Sequence, residues 1–385
     1  MKFPAEKLDE IEPSGIRELF AKAQGIKNVI SLGIGAPDIP APIGLKEALK
    51  QAVDDNYNNY DQSIGNLELR EAIVEKYKKC YGVDYSPLKG TIVTTGGVEL
   101  IYSTLQTYLK PGEEVLHQDP CFLTYPRQVV LAGGKMVWMP STPDFKIDIE
   151  KTKERITDKS RIIILNFPSN PTGAVMSRQE LKAIVDIAED HNLLIMSDEV
   201  YEHYIFNGSD HVHVGSIDNA YERTITVNSF SKTYAIPGWR MGFGVTTPEI
   251  LEPILKYHTY VVANSTTPTQ VALANFMHKK ESEEFIKNIK NEFQKRRDVI
   301  IEGFNSIEGI SCQEPAGSFY CYPDISQTKY PNCEEFSERA FDDARVVLVP
   351  GLEFGPGQTP YIRASFGSAG VEQIQEVMER LTKIL

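Results

Sequence analysis

The 385-residue sequence is short of positive charge: 40 Lys and Arg stand against 53 Asp and Glu, a formal net charge of −13. No block of Lys and Arg interrupts that balance. The only RR pair, Arg296-Arg297, is expected on a solvated helix face. Nucleic acid and anionic membrane are therefore not expected as partners. Long apolar runs are missing as well. Nothing approaches the ~18–20 residues that cross a bilayer, and the opening MKFPAEKLDEIEPSG has no apolar stretch of the secretory kind, so no signal peptide is expected. Cysteine is scarce: Cys80, Cys121, Cys312, Cys321 and Cys333 are odd in number and have no CxxC spacing. That pattern fits a reducing compartment, with the thiols as small apolar side chains, and a cytoplasmic location is expected. The seven histidines show neither HxxxH nor HExxH, so no metal site is expected, and HVH (211–213) reads as a surface strand. No GxxxxGK[ST] occurs, and GIGAPD lacks the third glycine of a dinucleotide loop, which removes P-loop and Rossmann chemistry from consideration.

What is present is enough apolar residue, 41%, for a substantial core in a chain long enough for two domains. Between about residues 90 and 247, apolar runs alternate with amphipathic segments. TIVTT, EVLHQ, KMVWM, RIIIL, LLIMS, TITVN and MGFGVT read as strands. Helices are expected at VELIYSTLQTYL, TYPRQVVLAGG and SRQELKAIVDIAEDHN, the last with Ser177 as N-cap. Strand–helix alternation predicts an α/β fold whose sheet is mainly parallel and flanked by helices. From about residue 280 the texture changes to a long charged helix, ESEEFIKNIKNEFQKRRDVIIEGFNSI, and short strands in SFYCYPDI, VVLVP and YIRASF. The expected division is a large domain over 45–280 and a smaller α+β domain made of 1–44 and 281–385, with a helix at IRELFAKA near the start.

In an open parallel sheet ligands bind beyond the carboxyl ends of the strands. There the unusual polar residues fall in turn: Gly96-Gly97 after TIVTT, Asn166 and Asn170 after RIIIL, Asp198 and Tyr201 after LLIMS, and Ser229, Ser231 and Lys232 after TITVN. A glycine pair opening a helix seats a phosphate on backbone N–H groups, and Ser229, Ser231 and Arg240 add donors. A lysine among apolar residues beside a second cation is depressed toward the neutral amine that attacks an aldehyde. A carboxylate at a strand end, Asp198, suits a protonated ring nitrogen. Phosphate, aldehyde and pyridine nitrogen together describe pyridoxal 5'-phosphate. Each feature alone has an ordinary reading: a solvated lysine, an N-cap aspartate, a turn at NPTG, core aromatics at Tyr60 and Phe122. The co-location carries the argument.

Those residues carry a family resemblance. GIGAPD, YDQSIGNLELREAI, TTGG, NFPSNPTGAV, SDEVYEH, NSFSKTYAIPGWRMGF and YIRASFG stand nearly end to end in the order and spacing of fold-type I pyridoxal-phosphate enzymes of the class I aminotransferase family. The likeness is to the branch of prokaryotic aspartate and aromatic aminotransferases. The resemblance implies Lys232 as the amine that carries the cofactor covalently and moves the proton, and Asp198 as the partner of the ring nitrogen. It implies Asn170 and Tyr201 at the ring oxygen, and Ser229, Arg240, Gly97 and Val98 at the phosphate. It also implies Phe122 stacked on the ring, Arg363 as clamp for the substrate α-carboxylate and Gly35 as a backbone cap on that carboxylate. Tyr60 would reach the phosphate of a neighbouring subunit, implying a homodimer with shared sites.

The implied reaction moves the amino group of an L-amino acid to a 2-oxo acid, with 2-oxoglutarate the expected acceptor. A C–S β-lyase or decarboxylase on the same fold is the alternative; a cofactor-binding regulator would need a basic DNA-binding domain, not expected here. Acidic-substrate members of the branch often carry lysine after the glycine pair, where this chain has Val98, so an aromatic or broad range is favoured over a dedicated dicarboxylate enzyme. Asn264–Thr267 are candidates for a distal carboxylate. The N-terminal segment is expected to close over substrate with Gly33–Gly35 as hinge.

Overall fold

The structure is a computed structural model that describes residues 8–11, 15, 22–208 and 210–385. The helix expected at IRELFAKA falls, except for its last two residues, outside the described residues.

After a short strand β1 (Ile30–Ser31), the main sheet is built from β2 (Thr91–Thr94), β3 (Glu114–Gln118), β4 (Lys135–Met139), β5 (Ser160–Asn166), β6 (Leu194–Asp198), β7 (Thr224–Ser229) and β8 (Gly242–Val245). Their spatial order is β2-β8-β7-β6-β5-β3-β4. Every neighbouring pair from β7 to β4 is parallel, and β8 alone runs antiparallel, between β2 and β7. The sequence of β5 shows why both faces are covered. Ile162 and Ile164 join one apolar cluster with Leu100, Leu105 and Leu251, whereas Ile163 and Leu165 join another with Leu181, Ile184 and Val185. Side chains alternate across a strand, so a continuous β-branched run needs helices on both sides.

Local signals set the helix ends. Ser177 and Glu180 form a reciprocal capping box at the helix Arg178–Asp190. Asn66 caps Leu67–Tyr81 through Leu69 N, and Gly82 closes that helix in the left-handed region at φ 71°. The antiparallel insertion of β8 matters for the site. Gly242 pairs with both Thr94 and Ser229, so the start of β8, and Arg240 just before it, arrive where β2 and β7 end.

A second unit is organised around the helix Lys280–Asn305 and the helices Cys333–Ala344 and Val371–Ile384. Its strands are β9 (Tyr320–Cys321), β10 (Val346–Val347), β11 (Val349–Pro350) and β12 (Ile362–Ser365), with β11, β12 and β9 forming an antiparallel sheet. The segment before the main sheet joins it: β1 pairs with β10, and Ile30 and Leu32 belong to the apolar cluster of Phe293, Phe304 and Phe336.

Two sequence expectations are corrected. Arg296 and Arg297 are buried, not on a solvated face; Arg296 pairs with Asp38 at 2.7 Å and Glu292 at 2.9 Å, and Arg297 with Asp298 at 2.7 Å and Glu314 at 3.2 Å. Their guanidinium planes also lie over Phe293 and Phe206, so the aromatic faces and carboxylates together offset desolvation. HVH is a loop, not a surface strand. His213 is buried with Nδ1 2.8 Å from Glu199, which also holds His211 at 2.9 Å. Among the described residues no helix is long and apolar enough to cross a membrane, and no cluster of His, Cys, Asp and Glu is arranged to hold a metal ion.

Candidate active site

A cavity of about 330 Å3 opens at the carboxyl ends of β2, β5, β6 and β7. Gly97 and Val98 line it from the helix that follows β2, and Asn170, Asp198, Tyr201 and Ser229 from the ends of β5 to β7. Lys232 and Arg240 come from the β7–β8 connection, Phe122 from the loop after β3, and Gly35 and Arg363 from the second unit. Tyr60 lies elsewhere, 88% exposed, in a surface pocket shared with Asn264–Thr267. Asn264 spends its amide on Ser265 O and Thr267 Oγ1, and none of this segment lines the cavity.

The chain turns sharply from β7 into the single helical turn Phe230–Thr233, which carries Lys232. Ser229 caps that turn, accepting from Ser231 N at 3.1 Å, and Tyr204 Oη holds Lys232 O at 2.6 Å. Lys232 Nζ donates to Gly35 O and sits 5.6 Å from the Phe319 ring centre. Burial lowers this amine from its ordinary range to about 8, helped by the cations Arg363 and Arg240 and opposed by Asp198. Near neutral pH a useful fraction is therefore the free nucleophile.

Asp198, 4% exposed, ends β6 with its carboxylate toward the cavity. Burial raises it to about 6, against a hydrogen bond from Tyr125 Oη to Oδ2 at 2.7 Å and a weaker one from Val200 N. A carboxylate held this way keeps its charge best when a cation lies against it, as a protonated ring nitrogen would.

At the other end of the cavity, backbone and cation converge. The helix Gly97–Tyr108 begins at Gly96, whose φ of 78° favours glycine. A Cβ there would stand 2.6 Å from Arg240 Nη2, and one on Gly242 would stand 2.4 Å from Gly96 C and Gly97 N. The start of β8 thus touches the start of this helix backbone to backbone, and the Arg240 side chain lies against Gly96. Ser229 Oγ lies 2.9 Å from both Ser231 Oγ and Met241 O. Open N–H groups at a helix start, a hydroxyl and an exposed guanidinium make a seat for a phosphate dianion.

Arg363, on β12, is 3% exposed. Its Nη1 donates to Asn170 Oδ1 at 3.1 Å and its Nη2 to Gly33 O at 2.6 Å, and its plane lies 4.6 Å from the Tyr320 ring centre and 4.8 Å from that of Phe354. Among the described residues its Nε has no hydrogen-bond partner. A buried guanidinium held only by neutral acceptors, with a donor unused, is incomplete without an anion, because desolvating that charge costs several kcal/mol. Tyr201 Oη meets Tyr320 Oη at 3.0 Å, tying the large sheet's loop to β9.

Tyr125, Tyr320 and Phe319 escaped the sequence reading. Tyr125 reads as an ordinary buried face of the helix Thr124–Leu131, and Tyr320 and Phe319 as core of the second unit; only TYP after DPCFL, close behind Phe122, hinted at the first.

The model of the aminotransferase class I and II family matches residues 27–381, spanning both units and every cavity residue named above. The chain belongs to this family. It is similar to aromatic-amino-acid aminotransferase 2 of Thermococcus litoralis, 39% identical over 383 residues, covering 99% of this chain and 98% of the relative. It is equally similar to an aspartate aminotransferase of Pyrococcus abyssi, 39% identical with 99% and 98% coverage. Among solved structures, an aromatic aminotransferase from Pyrococcus horikoshii superposes with a TM-score of 0.90 at 38% identity, covering 96% of this chain and 98% of that one. This aminotransferase has the fold-type I architecture, depends on pyridoxal phosphate and transfers amino groups between amino acids and 2-oxo acids. A β-lyase or decarboxylase reading is not favoured. The residues present fit the cofactor: the glycine-lined cradle closed by Arg240, the depressed amine of Lys232 and the buried carboxylate of Asp198 match its phosphate, aldehyde and ring nitrogen.

Proposed function

We propose that this aminotransferase takes an aromatic or a broad range of L-amino acids as donor, aspartate included, and a 2-oxo acid, 2-oxoglutarate foremost, as acceptor. One observation carries the reading: Lys232 and the incompletely satisfied Arg363 share a cavity also lined by the apolar side chains of Ile34, Val98, Ile101 and Phe122. Among the described residues its cations are Lys232, Arg240 and Arg363, so no fourth one waits for a distal carboxylate. The names of the relatives above, aromatic and aspartate, support the same range.

Pyridoxal phosphate, when bound, supplies an aldehyde that condenses with amines and a ring that takes up electrons from the substrate. The protein's part follows from its side chains. Ser229, Arg240 and the N–H groups around Gly97 and Val98 anchor the phosphate. Asp198, fixed by Tyr125, holds the proton on the ring nitrogen, and Asn170 and Tyr201 donate toward the ring oxygen. Phe122 packs on the ring face. Arg363 clamps the α-carboxylate bidentately, its position set by Asn170 and Gly33, and the Gly35 backbone covers that carboxylate. Lys232 would hold the cofactor through its amine and, as a free amine, would take the proton from the substrate Cα, a role suited to an amine lowered to about 8.

The division into a large domain, 45–280, and a small domain, 1–44 with 281–385, belongs to the same proposal, as do a homodimer in which Tyr60 reaches the partner's phosphate and a cytoplasmic location. Exposure of Tyr60 and the five unpaired cysteines support these readings. A panel of amino donors against 2-oxoglutarate tests the substrate range. Tyrosine, phenylalanine or tryptophan should match or exceed aspartate in kcat/KM; a preference for aspartate alone, by two orders of magnitude, would overturn it.

A further inference from the structure

Tyr320, on β9, has no part in the chemistry proposed above, yet it lines the active-site cavity and is 1% exposed. In the ladder of β9 with β12 it stands opposite Ser365, and Arg363 lies two positions along on the same face. Its ring centre is accordingly 4.6 Å from the Arg363 guanidinium. Its hydroxyl reaches to other elements. Tyr320 Oη is 3.0 Å from Tyr201 Oη. It also presses on Gly35, where a Cβ would stand 2.5 Å from it, so the residue whose carbonyl receives Lys232 Nζ makes room for this phenol by having no side chain.

The count of hydrogens gives the tyrosine pair a direction. Two phenols bring two hydrogens, and only one lies in the bond between them. Among the described residues neither oxygen has another hydrogen-bond partner, so one hydrogen is left for a group the cavity receives. Burial lifts both phenols above their ordinary range. Arg363 is the first group to oppose that lift at Tyr320 and the last at Tyr201. The phenol beside the cation is the stronger acid and therefore the donor. Tyr320 gives its hydrogen to Tyr201, and Tyr201 keeps its own for the cavity.

We propose that Tyr320 is a positioning residue for the reaction: its hydroxyl donates to Tyr201 Oη, aiming and strengthening the hydrogen that Tyr201 offers the cofactor's ring oxygen, while its ring supports the face of Arg363. The inference rests on Tyr201 standing at that oxygen, as proposed above. Hydrogen bonds in series polarise one another, so a tyrosine that accepts on its own oxygen donates better in turn. One side chain of the second unit then serves both the carboxylate clamp and the group that tunes the ring.

The test uses holoenzyme without substrate and follows its visible absorbance against pH. A donor at the ring oxygen draws charge from the nitrogen that joins Lys232 to the cofactor, so losing the donor makes that nitrogen more basic and moves the midpoint up. The charged groups around it, Asp198, Arg240 and Arg363, are unchanged in every variant compared. Tyr201→Phe should raise the midpoint by about one pH unit or more. Tyr320→Phe, which keeps the ring under Arg363, should raise it by roughly 0.2–0.6 pH unit, on the order of 10–30% of that bond. The double variant should match Tyr201→Phe alone, because the Tyr320 hydroxyl acts through Tyr201. A Tyr320→Phe midpoint equal to wild type, or shifts that add in the double variant, overturns the inference while leaving Tyr201 in place. An unmoved Tyr201→Phe midpoint removes Tyr201 from the ring oxygen and takes the inference with it. Tyr320→Leu, which also strips the ring from Arg363, should raise KM for an amino donor at least about threefold beyond Tyr320→Phe, and equal KM values overturn the part given to the ring.

Discussion

Tyr125 donates its phenolic hydrogen to Asp198 Oδ2 at 2.7 Å, and both side chains are buried behind the cavity. This bond opposes the burial that lifts Asp198 to about 6. Without it the carboxyl should titrate higher still. Tyr125→Phe is therefore expected to move the acid limb of the kcat/KM profile upward by roughly one pH unit, since a hydrogen bond to a charged group is worth about 1.5–3 kcal/mol. The pH profile of mutant and wild type decides it; coincident acid limbs would remove Tyr125 from the positioning of Asp198.

Lys232→Ala should reduce turnover by at least about 10²–10⁴-fold, the usual contribution of a positioned acid–base group. The visible absorbance of covalently held cofactor should vanish with it. Steady-state assay and a spectrum of the reconstituted protein check both, and wild-type turnover in the variant would sink the assignment.

Removal of Arg363 should act in two places. Arg363→Met is expected to lower kcat/KM for amino acid substrates by about two to three orders of magnitude, the scale for losing one member of a buried charge pair. It should also raise the Lys232 amine above about 8, because Arg363 depresses it more than Arg240 does, second only to burial. Less free amine at pH 7.5 then means slower covalent capture of pyridoxal phosphate by the apoprotein. Stopped-flow absorbance against pH measures that shift, and its direction must be upward.

Gly242→Ala should be costly although the residue makes no proposed contact with substrate. Its added methyl would meet Gly96 C and Gly97 N at 2.4 Å, backbone that cannot step aside as a flexible side chain would. A loss of roughly 1–3 kcal/mol in stability is expected, together with weaker cofactor binding because the strand start and helix start are pushed apart. Thermal unfolding and cofactor titration read the two effects, and an unchanged Tm would contradict the close packing.

Much of this could be read from the chain alone because the relevant information is local. The alternating faces of RIIIL, the Ser177 capping box and the position of Gly96-Gly97, Asn170, Asp198 and Lys232 at strand ends follow from period and spacing over a few residues. Parallel pairing then carries those ends to one side without further instruction. Charges and long-range partners were decided by tertiary structure. Arg296 and Arg297 read as solvated yet are buried, since Asp38, Phe206 and Glu314 reach them from other segments and Phe293 covers Arg296 from one turn along the same helix. HVH read as a surface strand yet is a loop with His213 buried, because the Glu199 carboxylate holds both histidines. Tyr125 and Tyr320 look like core until folding sets one against Asp198 and the other beneath Arg363. A side chain's periodicity states which face it occupies; what waits on that face, brought there from another element, is settled only when the chain closes.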